Sequence, residues 1–210
     1  MKNIKVFVVG SSTGYAHWMI NNTSQLTKKM EDADLVVLTG GADINPQLYQ
    51  EKPGKYTYFS ENRDVMEVEA VIKARALNKK IWGTCRGLQL LTALNGGKLI
   101  QHISHGGSHL MITEDGSRVN VNSLHHQMCY PFDIPKENYR ILGYAPNISP
   151  TYLNGDNNQI ELPENFVEPE MIIFGKNEMG VQYHPEMMSE ITDGFKKTYE
   201  YFEKFMNNEL

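Results

Sequence analysis

The chain has 210 residues with 40% hydrophobic content, enough to bury one substantial core, and its length favours a single domain over residues 1–210. A formal net charge of −5, from 20 basic and 25 acidic residues with no concentrated basic stripe, argues against a nucleic-acid partner. Two cysteines, Cys85 and Cys129, are too few for a disulfide framework and point to a reducing, cytoplasmic setting.

In chain order, the apolar run over residues 4–9 is too short for a signal peptide or a membrane span and reads as a first buried strand. Gly10-Ser11-Ser12-Thr13-Gly14 lacks the Walker lysine and the dinucleotide glycine spacing, so it reads as the turn after that strand. A helix is expected from this turn to near Met30, with Tyr15, His17 and Trp18 at a pocket mouth or buried under a sheet. Asp32 and Asp34 turn into a strand over residues 35–38, and a helix follows over residues 61–77. A strand ending at Trp82 leads to a helix over residues 88–94, which Asn95-Gly96-Gly97 stops. Strands are expected around residues 110–112, 118–122, 139–144, 171–174 and 180–183, with a flexible loop at residues 154–158. A last amphipathic helix over residues 189–206 carries Tyr199, Tyr201, Phe202 and Phe205 toward the core. The βαβ-like first half implies a parallel sheet covered on both faces, whose ligands bind beyond the carboxyl ends of the strands. Gly40, Cys85 and His184 are expected to converge there.

Gly83-Thr84-Cys85-Arg86-Gly87 places a cysteine between glycines where an apolar strand gives way to a helix. Unpaired N–H groups and the positive end of the helix dipole favour a thiolate at such a turn, and the glycines permit the tight bend. Packing of a small cysteine is the competing reading for this segment alone. In Gly180-Val181-Gln182-Tyr183-His184-Pro185-Glu186, residues two apart on extended backbone face one side, so His184 and Glu186 can form a base and its orienting carboxylate. Gln89 lies one helical turn after Cys85 and can face the same pocket. His125 and His126, with His102, His105 and His109 nearby, match no standard zinc spacing, so no metal and no other cofactor are expected. Cys129 reads as a packed thiol.

These segments resemble the class I glutamine amidotransferase superfamily, in particular its γ-glutamyl hydrolase branch of C26-type peptidases, with a pattern nearest that of γ-glutamyl-γ-aminobutyrate hydrolases. The resemblance is carried further by the glycine-rich stretch from Leu38 to Tyr49, by Arg63-Asp64 with Glu67 and Glu69, by residues 97–103, and by Val121-Asn122-Ser123-Leu124-His125-His126-Gln127. It implies a flavodoxin-like α/β three-layer sandwich with a mostly parallel central sheet. It also implies hydrolysis of the γ-amide of a small γ-glutamyl substrate through a Cys85 thioester, with His184 and Glu186 completing the triad and the backbone N–H groups of Gly41 and Arg86 forming the oxyanion hole. The Arg86 side chain is accordingly expected to matter less than Cys85. Gln89, His125 and His126 are implied to line the substrate pocket; Asp43, Asn45 and Ser123 can reach it or serve as turn and capping residues. Departures are the short chain, Trp82 where small or aliphatic residues are usual, and a poor match from Met128 to Glu170. Two other functions stay open: a glutaminase subunit passing ammonia to a separate synthetase partner, and a non-catalytic binding protein on the same fold.

Overall fold

The computed structural model describes residues 4–10, 12–20, 25–104, 106–146, 149–164 and 166–210. Strands β1 (Val6–Val8), β2 (Leu35–Leu38) and β3 (Lys80–Thr84) run parallel, side by side. In β2, Leu35 and Val37 enter one core while Val36 and Leu38 enter the other, the period-two signature of a strand covered on both faces. One face is covered by helices α1 (Glu61–Ala76) and α2 (Arg86–Leu94), which contribute Val71, Ala74, Leu88, Leu90 and Leu91. The other is covered by α3 (Asp193–Asn207), through Phe195, Tyr201, Phe202 and Phe205.

Beyond β2 the chain forms β4 (Lys98–Ile100), β5 (His102–Ile103), β6 (Gly107–Thr113), β7 (Arg118–Ser123), β8 (Met128–Tyr130), β9 (Tyr139–Pro146), β10 (Tyr152–Leu153), β11 (Val167–Phe174) and β12 (Glu178–Val181). The main sheet has eight strands in the order β1-β2-β3-β12-β11-β9-β6-β7. β12 joins β3 in parallel, with Gly180 opposite Gly83, and the pairings from β12 outward to β7 are antiparallel. The fold is the expected flavodoxin-like α/β three-layer sandwich, its parallel half carrying an antiparallel extension. The sheet pairs β4–β8 and β5–β10 were not expected from the sequence, because two- and three-residue strands carry no readable periodicity.

The helix expected from the first turn to Met30 is absent among the described residues. A 3-10 turn over Thr13–Ala16 is followed by Trp18, Met19 and Ile20, three consecutive buried residues that no one-faced helix could bury together. Leu26 then bridges to Val6 as extended chain, and a second 3-10 turn, Met30–Asp32, enters β2. Residues 21–24 of that expected helix, Ser11 of the first turn and His105 lie outside the described residues. α3 starts at Asp193, later than expected, because the Thr192 hydroxyl accepts the Phe195 N–H at 3.3 Å and caps the helix there. The 154–158 segment is a tied turn: the Asn154 side chain accepts the N–H groups of Asp156 and Asn158, and Asn157 accepts that of Lys55. No helix among the described residues is long and apolar enough to cross a membrane.

Trp82, unusual at its position, is fully buried, donates to Thr84 Oγ1 at 3.1 Å and meets Trp18 edge-on at 5.3 Å. Phe202 of α3 packs against both indoles, at 5.3 Å from Trp18 and 5.5 Å from Trp82. Truncating Phe202 removes the ring that fastens α3 and the N-terminal wrap to the sheet. Phe202→Ala is expected to lower unfolding stability by about 3–5 kcal/mol, read from urea denaturation.

Candidate active site

Cys85 occupies the single residue between β3 and α2, at φ 51° and ψ −106°. A non-glycine side chain in that region costs on the order of 1–3 kcal/mol and persists only where its surroundings hold it. Here the Cys85 N–H donates to Val181 O at 2.7 Å, tying the bend to β12, and its carbonyl accepts the Gln89 N–H at 3.1 Å. Three glycines make the crossing possible. A Cβ on Gly83 would overlap the Gly87 backbone, one on Gly180 would overlap the Gly83 carbonyl, and one on Gly87 would lie 2.6 Å from Leu38 O. The result is a nearly buried sulfur at the N-terminus of a buried helix.

β12 ends beside β3, so the chain after Val181 passes over that sulfur. The Gln182 amide donates to Cys85 Sγ at 3.7 Å, and the His184 ring lies close enough to the Cys85 side chain for the two to interact electrostatically. His184 Nδ1 lies 2.6 Å from Glu186 Oε1, which sets the ring's tautomer and orientation. The backbone at His184 is pinned by Asn122 of β7, whose Oδ1 accepts the His184 N–H at 2.8 Å and whose Nδ2 donates to its carbonyl at 2.9 Å. Burial opposes charge on this imidazole. Hydrogen bonding and electrostatic attraction from Cys85 and Glu186 outweigh it and raise the His184 pKa to about 10. Tyr15 reaches the same place, its ring 6.2 Å from that of His184, so its placement is the pocket one; Trp18 takes the buried one.

Neither the Gly41 nor the Arg86 backbone N–H donates to an acceptor among the described residues. The Arg86 side chain has a structural role beside that of its backbone N–H. It is fully buried and pairs with Asp64 at 2.6 Å and with Glu67. Burial and the neighbouring Arg63 charge pull its pKa down to about 10, while Asp64 and the other carboxylates around it oppose the drop. Asp64 also accepts the Asn45 N–H at 3.1 Å, so α1 grips both the helix after Cys85 and the loop after Gly41.

The expected substrate-binding residues divide. Gln89 is buried in the wall, its Nε2 donating to Gln127 O at 3.2 Å and to Gln182 Oε1 at 3.4 Å. Ser123 and His125 are buried, His125 Nδ1 lying 2.9 Å from Gln127 O. Asp43 and His126 pair with one another at 3.1 Å, joining the loop after Gly41 to the paired-histidine loop, and His126 Nδ1 lies 3.4 Å from His102 Nδ1. These groups form a chain rather than a cage; among the described residues no group of three or more His, Cys, Asp or Glu could hold a metal ion. Asn45 caps the 3-10 turn Pro46–Tyr49, accepting the Gln47 N–H at 3.0 Å. Cys129 is packed as expected, with burial pushing its thiol far above the usual range. Sequence reasoning missed Gln182 and Asn122. Gln182 shares the two-residue spacing of His184 and Glu186, and that parity could have found it; Asn122 reaches His184 from an edge strand that pairs only with β6, a contact no local pattern announces.

A family model described as Peptidase C26 matches residues 6–126. The chain belongs to the Peptidase C26 family. The Peptidase C26 match runs from β1 through Cys85 to the paired histidines, and His184 and Glu186 lie beyond it. Among curated relatives, the glutamine amidotransferase-like protein YvdE of Lactococcus lactis subsp. lactis is 29% identical over 206 residues, covering 87% of this chain and 78% of that protein. A glutamine amidotransferase of Thermotoga maritima superposes with a TM-score of 0.55 at 15% identity, over 100% of this chain and 86% of its own. The glutaminase domain of a Trypanosoma brucei CTPS, solved with bound acivicin, gives a TM-score of 0.60 at 14% identity, over 98% and 94%. This Peptidase C26 member is thus an amidohydrolase-type enzyme of the class I glutamine amidotransferase superfamily.

Two consequences are measurable. A Cβ on Gly40 would stand 2.6 Å from His184 Cε1 and 2.8 Å from the Tyr15 hydroxyl, so Gly40→Ala displaces the imidazole. Turnover is expected to fall about 100-fold with little change in melting temperature. Arg86→Ala leaves buried Asp64 without an ion-pair partner and Glu67 with Arg63 alone, and is expected to cost about 3–5 kcal/mol of stability in chemical denaturation.

Proposed function

We propose that this enzyme hydrolyses the γ-amide bond of a γ-glutamyl compound, releasing glutamate and an amine through a glutamyl thioester on Cys85. The observation that carries the reading is the Cys85–His184–Glu186 constellation at the mouth of the α2 helix. An amide carbonyl is a poor electrophile, so its hydrolysis needs a strong nucleophile, a proton for the departing nitrogen and stabilisation of the oxyanion. Cys85 as thiolate attacks the γ-carbonyl carbon, and the resulting oxyanion accepts from the Gly41 and Arg86 N–H groups, each worth roughly 3 kcal/mol in the transition state. Collapse breaks the C–N bond as His184, held by Glu186, protonates the leaving nitrogen. Water then attacks the thioester, His184 takes its proton, and cleavage of the C–S bond returns the thiolate and frees glutamate. Residues 1–210 act here as one catalytic domain without a cofactor, on a small-molecule substrate, and a reducing cytoplasm suits the free Cys85 thiol.

The glutaminase likeness supports a second reading, in which the chain supplies ammonia to a synthetase. A non-catalytic binding role is disfavoured by the complete Cys85, His184 and Glu186 set. Glutamate release from a panel of γ-glutamyl amides and free glutamine, with Cys85→Ala as the blank, separates the three. Cys85-dependent turnover of one substituted amide above glutamine supports the hydrolase, weak turnover of glutamine alone supports the subunit, and none supports binding.

The raised His184 pKa sets the sign of the pH dependence. The imidazolium that donates to the leaving nitrogen persists through neutral pH and is lost as pH climbs toward about 10, so kcat/KM falls on the alkaline side. Glu186→Gln removes one of the groups that hold the proton. Its alkaline limb is expected about one to three pH units lower than in the wild type, as apparent values of the coupled cysteine–histidine pair.

A further inference from the structure

Arg63, on the first turn of α1, belongs to none of the roles above, yet its guanidinium is spent on the loop that carries Gly41. Its Nη2 donates to Gly40 O at 2.8 Å, to Thr39 Oγ1 at 2.9 Å and to Thr39 O at 3.2 Å. Its Nε donates to Glu67 Oε1 at 2.8 Å, and Glu67 in turn pairs with Arg86. Its Nη1 lies so close to Gly41 that a Cβ there would overlap it, and Gly41 takes a φ of +145°. The guanidinium therefore lies against the Thr39-Gly40-Gly41 backbone.

A trans peptide points its carbonyl and its N–H in opposite directions, and no peptide among the described residues is cis. Fixing the Gly40 carbonyl on Arg63 therefore turns the Gly41 N–H away from α1. Two glycines in succession offer little resistance to rotation of that peptide, so the side-chain clamp decides its orientation. The clamp is shared with the other donor. Glu67 accepts from Arg63 on one oxygen and from Arg86 on the other, and the Arg86 N–H is the first free donor of α2.

We propose that Arg63 is a positioning residue that sets the orientation of the Gly40–Gly41 peptide and, through Glu67, keeps the Gly41 and Arg86 N–H groups in register as a two-donor oxyanion hole. The inference rests on the hydrolase reading of the site. Arg63 acts chiefly through the peptide, not on the substrate: its charge also attracts Cys85, but its loss weakens the transition state far more than it weakens substrate binding or the sulfur's reactivity.

The test uses the full chain, the γ-glutamyl amide that the wild type turns over, and iodoacetamide. Alkylation of Cys85 by iodoacetamide forms no tetrahedral oxyanion at the protein, so it reports the thiolate alone. For Arg63→Gln, kcat is expected to fall about 100-fold, with KM and the alkylation rate each within about threefold of wild type. Arg63→Lys, which can still donate to the Gly40 carbonyl, is expected to recover part of kcat. Thr39→Val, which removes only the hydroxyl beside the guanidinium, decides the matter if Arg63→Gln does not fold, with a loss of about three- to tenfold confined to kcat. An unchanged kcat, a loss carried by KM, or alkylation slowed in step with turnover would each overturn the assignment. A wild-type chain that releases no glutamate by way of Cys85 would instead remove the hydrolase reading beneath it.

Discussion

Everything at the site depends on how closely three stretches of backbone approach one another. Gly83 on β3, Gly87 on α2 and Gly180 on β12 meet where no Cβ fits, and that closeness places β12 against the elbow. The Cys85 N–H reaches Val181 only because of it, and the residues after Val181 consequently cross the sulfur. The strained torsion of Cys85 and the reach of His184 are two results of the same backbone crossing. Neither requires a long-range device beyond the sheet.

Charge supplies the second level of order. Asp64, Glu67 and Arg86 are removed from water, and burial raises the Asp64 pKa against the pull of the arginines beside it. Burying such a set is costly unless every member is matched, and here α1 matches them through consecutive turns of one helix. What that cost secures is specificity of placement. The helix that follows the sulfur and the loop that faces it are both referred to one rigid element, rather than to each other across solvent.

The sequence made the local part of this site legible. The glycine-flanked cysteine between strand and helix needs no tertiary knowledge and lies where that pattern puts it; His184 and Glu186 do meet, but through the 3-10 turn Pro185–Met187 rather than on the extended backbone expected. The structural role of the Arg86 side chain was not legible, because nothing local says that Asp64 and Glu67 face it from another helix. Helical phase brings Gln89 to the Cys85 side of α2, but not its amide's hydrogen bonds to Gln127 and Gln182, residues far away in sequence. The N-terminal wrap failed as a helix for a related reason: Trp18, Met19 and Ile20 answer to a core built by Trp82 and Phe202, and that core overrides local periodicity.

The position of β12 carries a consequence for how the molecule comes into being. Among the described residues it is the last strand in chain order, yet it is inserted in the middle of the sheet, between β3 and β11. Until it arrives, the strands fall into two separate groups, β1-β2-β3 and β11-β9-β6-β7, with no hydrogen bonds between them. Pairings across so long a stretch of chain close late and slowly, because loop entropy is spent before they form. The reactive sulfur thus gains its imidazole only in the step that unites the sheet, and a nascent or partly folded chain carries an unpaired thiol in place of an enzyme.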